Sequence, residues 1–171
     1  MLTNTKLSRK QKGFTIIEVM IVLAIAALIL LIVLLAVPAL QRNSKNTTIK
    51  NDVATVAGGI STYESDNNGT VPKYLNGTGS ISIGSAAGAA DLEKVTIGGS
   101  TTVSTPVGAP ASGTTQAAPT TLPASGTIVP YLGVQCDPNN PTGVANVAAR
   151  SISLYYVIQT SSGAKLECSA A

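Results

Sequence analysis

Residues 10–23 read KQKGFTIIEVMIVL and join a basic segment to an apolar one. The basic residues end at Lys12, Gly13 follows, and an apolar run begins at Phe14. Of the 24 residues from 14 to 37, only Thr15 and Glu18 are polar. A helix of that length rises about 36 Å, which is enough to cross a hydrocarbon core of roughly 30 Å. The sequence therefore predicts a membrane-spanning helix over residues 14–37.

The basic charge is concentrated in the segment before this run. Four of the 11 basic residues precede Gly13, and seven basic against eight acidic residues follow it. By the positive-inside rule the basic segment stays in the cytoplasm, which places residues 39–171 outside. The remainder is close to neutral, so there is no electrostatic argument for nucleic-acid binding and no specific nucleic-acid contact is predicted.

Glu18 is the exception inside the apolar run. A charged carboxylate without a partner is costly in a membrane, and such residues are functional candidates by default. The alternative is that Glu18 reaches the cytoplasmic interface and is stabilised there by the helix N-terminal dipole. Spacing alone leaves both interpretations open.

The quoted stretch closely resembles the processing site of type IV prepilins. That family has a basic leader that ends in Gly, then Phe, then Glu four positions later, and then an apolar helix. Each element is present here at that spacing, in Gly13, Phe14 and Glu18. The resemblance covers residues 6–37 well, weakens towards residue 68 and is only architectural beyond.

The resemblance implies how the chain would be processed and assembled. A membrane prepilin peptidase would remove residues 1–13 by cutting between Gly13 and Phe14, and would N-methylate Phe14. Glu18 would then pair with the Phe14 amine of a neighbouring subunit during assembly. The implied partners are the peptidase, the pilus assembly platform in the cytoplasmic membrane and further copies of this chain. The precursor would lie in that membrane, and the mature chain in an extracellular pilus.

The helix is predicted to continue beyond the apolar run as an amphipathic segment over residues 38–66. Pro38 predicts a kink or break, because proline removes a backbone hydrogen bond and clashes with the preceding turn. Beyond it, apolar residues recur at helical spacing and define one face, whereas Asp52 is assigned to the polar remainder. The members of the apolar face are Ile49, Val53, Val56, Ile60 and Tyr63. The polar, Gly-containing sequence of residues 66–69 predicts the helix end.

Residues 67–171 are predicted to form a β-rich head. Short strands are expected at residues 81–83 and 95–97, and a hairpin pairs residues 151–158 with residues 165–168. Residues 98–126 contain no charge and are rich in Gly, Ser, Thr, Ala and Pro, which predicts a loop. Three Asn-x-Thr triplets begin at Asn46, Asn68 and Asn76 and are glycosylation acceptors only in a host that uses them.

Cys136 and Cys168 are the only cysteines. In an exported chain they favour one disulfide over two unpaired thiols. Type IV pilins commonly close a C-terminal loop with such a bond, and the pseudopilins of type II secretion usually lack it. The resemblance therefore favours a pilus subunit, with a pseudopilin of a secretion or competence machine as the alternative.

No catalytic, metal or cofactor site is predicted. The chain has no His, which removes the usual general base and the commonest zinc ligand. Asp137, Asn139 and Asn140 offer oxygen atoms to calcium, but a single carboxylate makes a weak site. A signal-anchored enzyme or solute-binding module remains a third candidate. The prediction is an α+β, pilin-like fold, with a long apolar spine helix and a small antiparallel sheet on its C-terminal half.

Overall fold

The computed structural model describes residues 13–108, 119, 121–137, 140 and 147–171. The predicted leader up to residue 12, much of the predicted loop (109–118 and 120) and Asn139 lie outside these residues. The chain divides into two compact units, Met1–Leu40 and Gln41–Ala171.

One long helix, α1, spans Ile16–Asp66. Pro38 lies inside it, and the helix does not break there. Of the predicted kink or break, the break is excluded, because proline removes one backbone hydrogen bond and the helix continues beyond it. A kink at this position stays a prediction. The predicted helix end is confirmed, since Asn68 and Gly69 have φ angles of 54° and 73° and Gly69 N–H donates to Glu64 O.

Within the described residues the second unit forms a seven-stranded sheet in the order β3-β2-β1-β4-β5-β6-β7. All neighbouring pairs are antiparallel except β4 and β5, which are parallel. The α+β pilin-like fold is thus confirmed, with one parallel pair that was not predicted. The strands are β1 Tyr74–Thr78, β2 Ser80–Gly84, β3 Glu93–Thr96, β4 Thr102–Val103, β5 Thr127–Val134, β6 Val147–Thr160 and β7 Gly163–Ala170.

The predicted loop over residues 98–126 is wrong at its N-terminal end. Thr102–Val103 form β4 between β1 and β5, and Val107 bridges to Tyr131. Parallel neighbours need a long connection, and the uncharged segment after β4 supplies it before β5 begins. Val103 is fully buried, so this part of the segment belongs to the core.

The predicted apolar stripe of α1 is confirmed as one side of the main core. All five of its members are buried, and they pack with the inner face of the sheet. Gly59 permits this close approach, because a Cβ atom there would lie 2.4 Å from Val95 Cγ2 and 2.9 Å from Ile83 Cδ1. From the sheet the core includes Leu75, Ile81, Ile83, Ile97, Val103, Ile128, Ile152, Leu154, Tyr156 and Ile158.

The predicted C-terminal hairpin is also confirmed, and its strands carry apolar residues on both faces. On β6, Ile152 and Leu154 face α1, whereas Tyr155 and Val157 lie in a second cluster with Leu166. The rings of Tyr131 and Tyr155 meet edge to face in this cluster, with centroids 5.1 Å apart. The sheet therefore has a second, smaller core on its other face.

Candidate functional site

The start of α1 is closed by reciprocal hydrogen bonds between Thr15 and Glu18. The Thr15 backbone N–H and hydroxyl each donate to Glu18 Oε2 at 2.8 Å. In return, the Glu18 backbone N–H donates to Thr15 Oγ1 at 3.3 Å. This is a capping box, in which an N-cap Thr and a Glu three residues later satisfy each other's backbone N–H groups. Sequence reasoning missed it, although the T-x-x-E spacing is its signal.

The predicted processing residues lie just before this cap. Gly13 and Phe14 precede the first helical residue, Ile16, and the Phe14 side chain is 90% exposed. The large apolar side chains that follow are exposed as far as Leu40. Among the described residues, α1 is the one helix long and apolar enough to cross a membrane. The first unit thus presents an apolar surface that needs lipid or protein around it.

The two cysteines are joined. Cys136 and Cys168 form a disulfide with a Cα–Cα distance of 5.9 Å, which confirms the predicted pair. Cys136 follows β5, and Cys168 lies on β7 beside Tyr155 of β6. Cys168 also packs against the second apolar cluster. The bond therefore ties the chain after β5 to the last strand, next to the smaller core.

Asp52 is a buried carboxylate that sequence reasoning placed on the polar face of the helix. It is 6% exposed and accepts hydrogen bonds from the backbone N–H of Gly98, at 2.9 Å, and from the Thr101 hydroxyl. Gly98 has no room for a side chain, because a Cβ atom there would lie 2.9 Å from Asp52 Oδ2. No periodicity signal marks Asp52, since its partners are 46 and 49 residues away.

Tyr63 and Asp91 form a second polar contact between α1 and the sheet region. The Tyr63 hydroxyl donates to Asp91 Oδ2 at 2.6 Å, and the hydrogen bond to this carboxylate, with burial, raises the pKa of Tyr63 to about 12. The same bond, helped by the hydroxyl and N–H of Ser85, lowers the pKa of Asp91. Asp91 thus connects the end of the helix to the β2–β3 connection.

Glu167 on β7 holds a third polar contact with the helix. Its Oε2 lies 3.1 Å from Lys50 Nζ and accepts a hydrogen bond from the Tyr156 hydroxyl at 3.3 Å. Burial, with Glu167 adding to it, raises the pKa of Tyr156 to about 12. Together with Asp52 and Asp91, this carboxylate fixes the register of α1 against the sheet.

The three Asn-x-Thr triplets are in different environments. The Asn46 side-chain nitrogen donates to Gln159 O at 2.7 Å, and its oxygen accepts from Gln159 N–H at 2.8 Å. The Asn46 amide thus hydrogen-bonds to the end of β6 as a neighbouring strand would. It is therefore not available for glycosylation in the folded chain. Asn76 lies within β1, and Asn68 is exposed after the helix end.

Across the part of the chain that the structure describes, no group of three or more Cys, Asp or Glu side chains is arranged to hold a metal ion. The predicted calcium ligands are not tested as a set, because Asn139 lies outside that part.

Comparison with known families finds a match at the N-terminal end of the chain. Residues 8–34 match the family described as the prokaryotic N-terminal methylation motif. The match includes Gly13, Phe14, Thr15 and Glu18, together with most of the apolar run. A search among curated proteins and a search among solved structures each found no match.

The apolar helix, the sheet packed on its C-terminal part and the capped N-terminus define an α+β, pilin-like protein. The matched motif is the class III leader of type IV pilins, and it supports a protein of the type IV pilin or pseudopilin type. Such proteins are structural subunits, and the motif implies processing by a prepilin peptidase and polymerisation of the chain with itself. The leader and apolar helix fit a membrane-anchored precursor.

Proposed function

We propose that this chain is the structural subunit of a type IV pilus. In this proposal the peptidase cuts after Gly13, Phe14 becomes the N-methylated first residue, and the mature chain polymerises into an extracellular filament. The observation that carries the proposal is the methylation motif at residues 8–34, whose apolar part forms an exposed helix. The filament would serve surface attachment, twitching motility or DNA uptake.

In the filament, Glu18 pairs with the methylated amine of Phe14 in a neighbouring subunit. The capping box supports this role, because it holds the carboxylate through Oε2 only. A neighbour in the correct stagger satisfies both buried charges, and a neighbour in a wrong stagger leaves both unpaired, which is strongly unfavourable. Small residues in the apolar part of the motif, including Ala24, Ala26 and Ala27, allow close approach of packed helices.

The Cys136–Cys168 bond favours a pilus subunit over a pseudopilin of a type II secretion or competence machine. A filament outside the cell would bear mechanical load in an oxidising medium. A disulfide persists in such a medium and would stabilise a small head. Abundance and filament length separate the two candidates. A long surface filament made mainly of this chain supports the pilus, and a short assembly confined to the envelope supports the pseudopilin.

The decisive experiment is the intact mass and N-terminal sequence of protein sheared from the cell surface. A chain that begins with methylated Phe14 and has lost two hydrogens to the disulfide is the expected result. A chain that begins with Met1 and occurs only in membranes would overturn the proposal in favour of a signal-anchored protein.

A further inference from the structure

The peptide bond between Gly13 and Phe14 lies just outside the helix. Thr15 follows it, and α1 begins at Ile16. Across the residues that the structure describes, the main-chain groups of Gly13 and Phe14 make no hydrogen bond. The Phe14 side chain is exposed, and a Cβ atom added to Gly13 would meet nothing within 4 Å. This bond is therefore free on an open stretch of backbone.

Thr15 is the N-cap residue that sets this limit of the helix. Its C=O accepts a hydrogen bond from Val19 N–H at 3.4 Å, and its own N–H donates to the Glu18 carboxylate. An N-cap residue has non-helical backbone angles, so the residues before it lie outside the helix. Phe14 and Gly13 are the first and second of those residues.

The capping box holds the helix start in place in both directions. If α1 continued towards the N-terminus, Thr15 N–H would donate to the C=O of Gln11 and Glu18 N–H to the C=O of Phe14. Both N–H groups are already bonded within the box. The same bonds satisfy donors of the first turn and so oppose its opening. The box therefore fixes α1 to begin directly after the Gly13–Phe14 bond without enclosing it.

A protease requires the bond that it cuts to be in this state. Proteolysis acts on locally open chain, because the N–H and C=O groups of a helical peptide bond are engaged in the helix. A rigid helix that begins directly after the open bond also holds that bond in a defined position, which favours reaction. The matched methylation motif covers residues on both sides of this boundary, which connects the boundary to the processing enzyme.

We propose that Thr15 is a positioning residue for cleavage of the precursor. As the N-cap, it makes α1 begin directly after the Gly13–Phe14 bond, so that the peptidase binds an open bond followed by a rigid helix. The cleavage is a hydrolysis: water is the co-reactant, the C–N bond breaks, Gly13 keeps a carboxylate and Phe14 leaves as a free amine. Thr15 acts through the helix start and does not touch the reacting atoms. The inference rests on the processing in the proposed function.

The test is cleavage of the full precursor by a membrane prepilin peptidase in detergent, followed as the loss of residues 1–13 on a gel. Thr15→Val has the shape of threonine but cannot cap, whereas Thr15→Ser and Thr15→Asn are good N-caps. We expect Thr15→Val to raise KM about fivefold and to leave kcat unchanged, because only chains with a formed first turn are competent to bind. The serine and asparagine variants should retain the wild-type KM.

Thr62→Val is the matched control, because Thr62 is an exposed threonine of α1 outside the matched motif, and this change should leave KM unaltered. Amide exchange at Glu18 measures the cap in each Thr15 variant, and KM should rise as that exchange becomes faster. Equal KM for wild type and Thr15→Val overturns the positioning role. So does a KM that Thr15→Asn raises as much as Thr15→Val, since the peptidase would then recognise the threonine side chain itself.

Failure of this inference is distinct from failure of the proposed function. If the wild type is cut after Gly13 and Thr15→Val is cut with the same KM, only the positioning role of Thr15 is refuted. If the peptidase does not cut the wild type between Gly13 and Phe14, the processing itself is refuted, and the role of Thr15 with it.

Discussion

Thr15 and Glu18 satisfy each other's backbone N–H groups at the first turn of α1, with 2.8 Å from Thr15 N to Glu18 Oε2 and 3.3 Å from Glu18 N to Thr15 Oγ1. Glu18 therefore has two separable properties. It caps its own helix through hydrogen bonds, and it carries the negative charge that the proposed assembly uses. Variants at these two positions separate the cap from the charge.

Glu18→Gln is expected to be cleaved normally but to assemble poorly. Glutamine at this position of a capping box still accepts the Thr15 N–H, so the cap survives while the charge is lost. The measurement is the ratio of surface filament to membrane-bound subunit on a blot. Filament at wild-type levels would exclude a role for the charge.

Thr15→Ala is the matched control. It removes the N-cap side chain, at a cost of about 1 kcal/mol, and leaves the Glu18 charge in place. Amide exchange at the first turn of α1 should be about fivefold faster, and filaments should still form. If Thr15→Ala loses filaments as completely as Glu18→Gln, the cap is needed for assembly as well as the charge.

Gly13→Ala is expected to block processing, because the proposed cut directly follows this glycine. The unprocessed chain keeps residues 1–13 and runs at a higher mass on a gel. Gly88→Ala, in an exposed turn with φ of 73°, changes the same residue type far from the leader and should be processed normally. Normal cleavage of Gly13→Ala would mean that the cut lies elsewhere.

Replacing both cysteines with serine should lower the free energy of unfolding by about 3–4 kcal/mol. That figure is the chain-entropy estimate for a loop that spans 32 positions. The affected region is the second apolar cluster, so the tyrosine near-ultraviolet signal should report the loss early in a urea titration. Reduction of the wild type with a thiol should have the same effect. A change below about 1 kcal/mol would show that packing alone holds this face.

Asp52→Ala should be destabilising by about 1–3 kcal/mol, because it leaves buried donors from Gly98 and Thr101 without an acceptor. Asp52→Asn keeps one acceptor oxygen and should lose less. Asn51→Ala, at the exposed neighbouring position, is the control. Urea unfolding measures all three, and an Asp52→Ala midpoint equal to that of Asn51→Ala would contradict a structural role for the carboxylate.

The Tyr63–Asp91 contact predicts a loss of stability in alkali. The folded-state pKa of Tyr63, about 12, lies above its ordinary value of about 10. Its contribution is therefore complete below pH of about 10 and disappears as the pH rises to about 12. The difference between wild type and Tyr63→Phe isolates this term, since the other tyrosines titrate in both proteins. A stability difference that does not change over that range would refute the contact.

In acid, the stabilisation from the same contact is lost as the pH falls, because Asp91 becomes protonated. The pKa of Asp91 is lowered by the Tyr63 hydroxyl, so its contribution is present above the ordinary pKa of an aspartate and is lost as the pH falls through the lowered value. Tyr63→Phe should be less sensitive to acid than the wild type, as measured by unfolding between pH 5 and pH 2.

By itself, the sequence determined the long helix, its membrane-length apolar half, its buried stripe and the C-terminal hairpin. These features are local, because helical and strand periodicities repeat within a few residues and the leader motif is contiguous. The sequence also contains the T-x-x-E spacing of the capping box, in Thr15 and Glu18. An analysis of periodicity alone does not detect it. The pairing of Cys136 with Cys168 was predicted from the presence of two cysteines and a membrane-directed N-terminus.

Only the tertiary structure decided which residues meet across long distances. It made Asp52 a buried anchor for Gly98 and Thr101, and it placed β4 in the sheet from a segment with the composition of a loop. It also carried the helix through Pro38 without a break. In each case the outcome depends on partners that are distant in sequence or on packing that outweighs a local preference, and no short window of sequence contains that information.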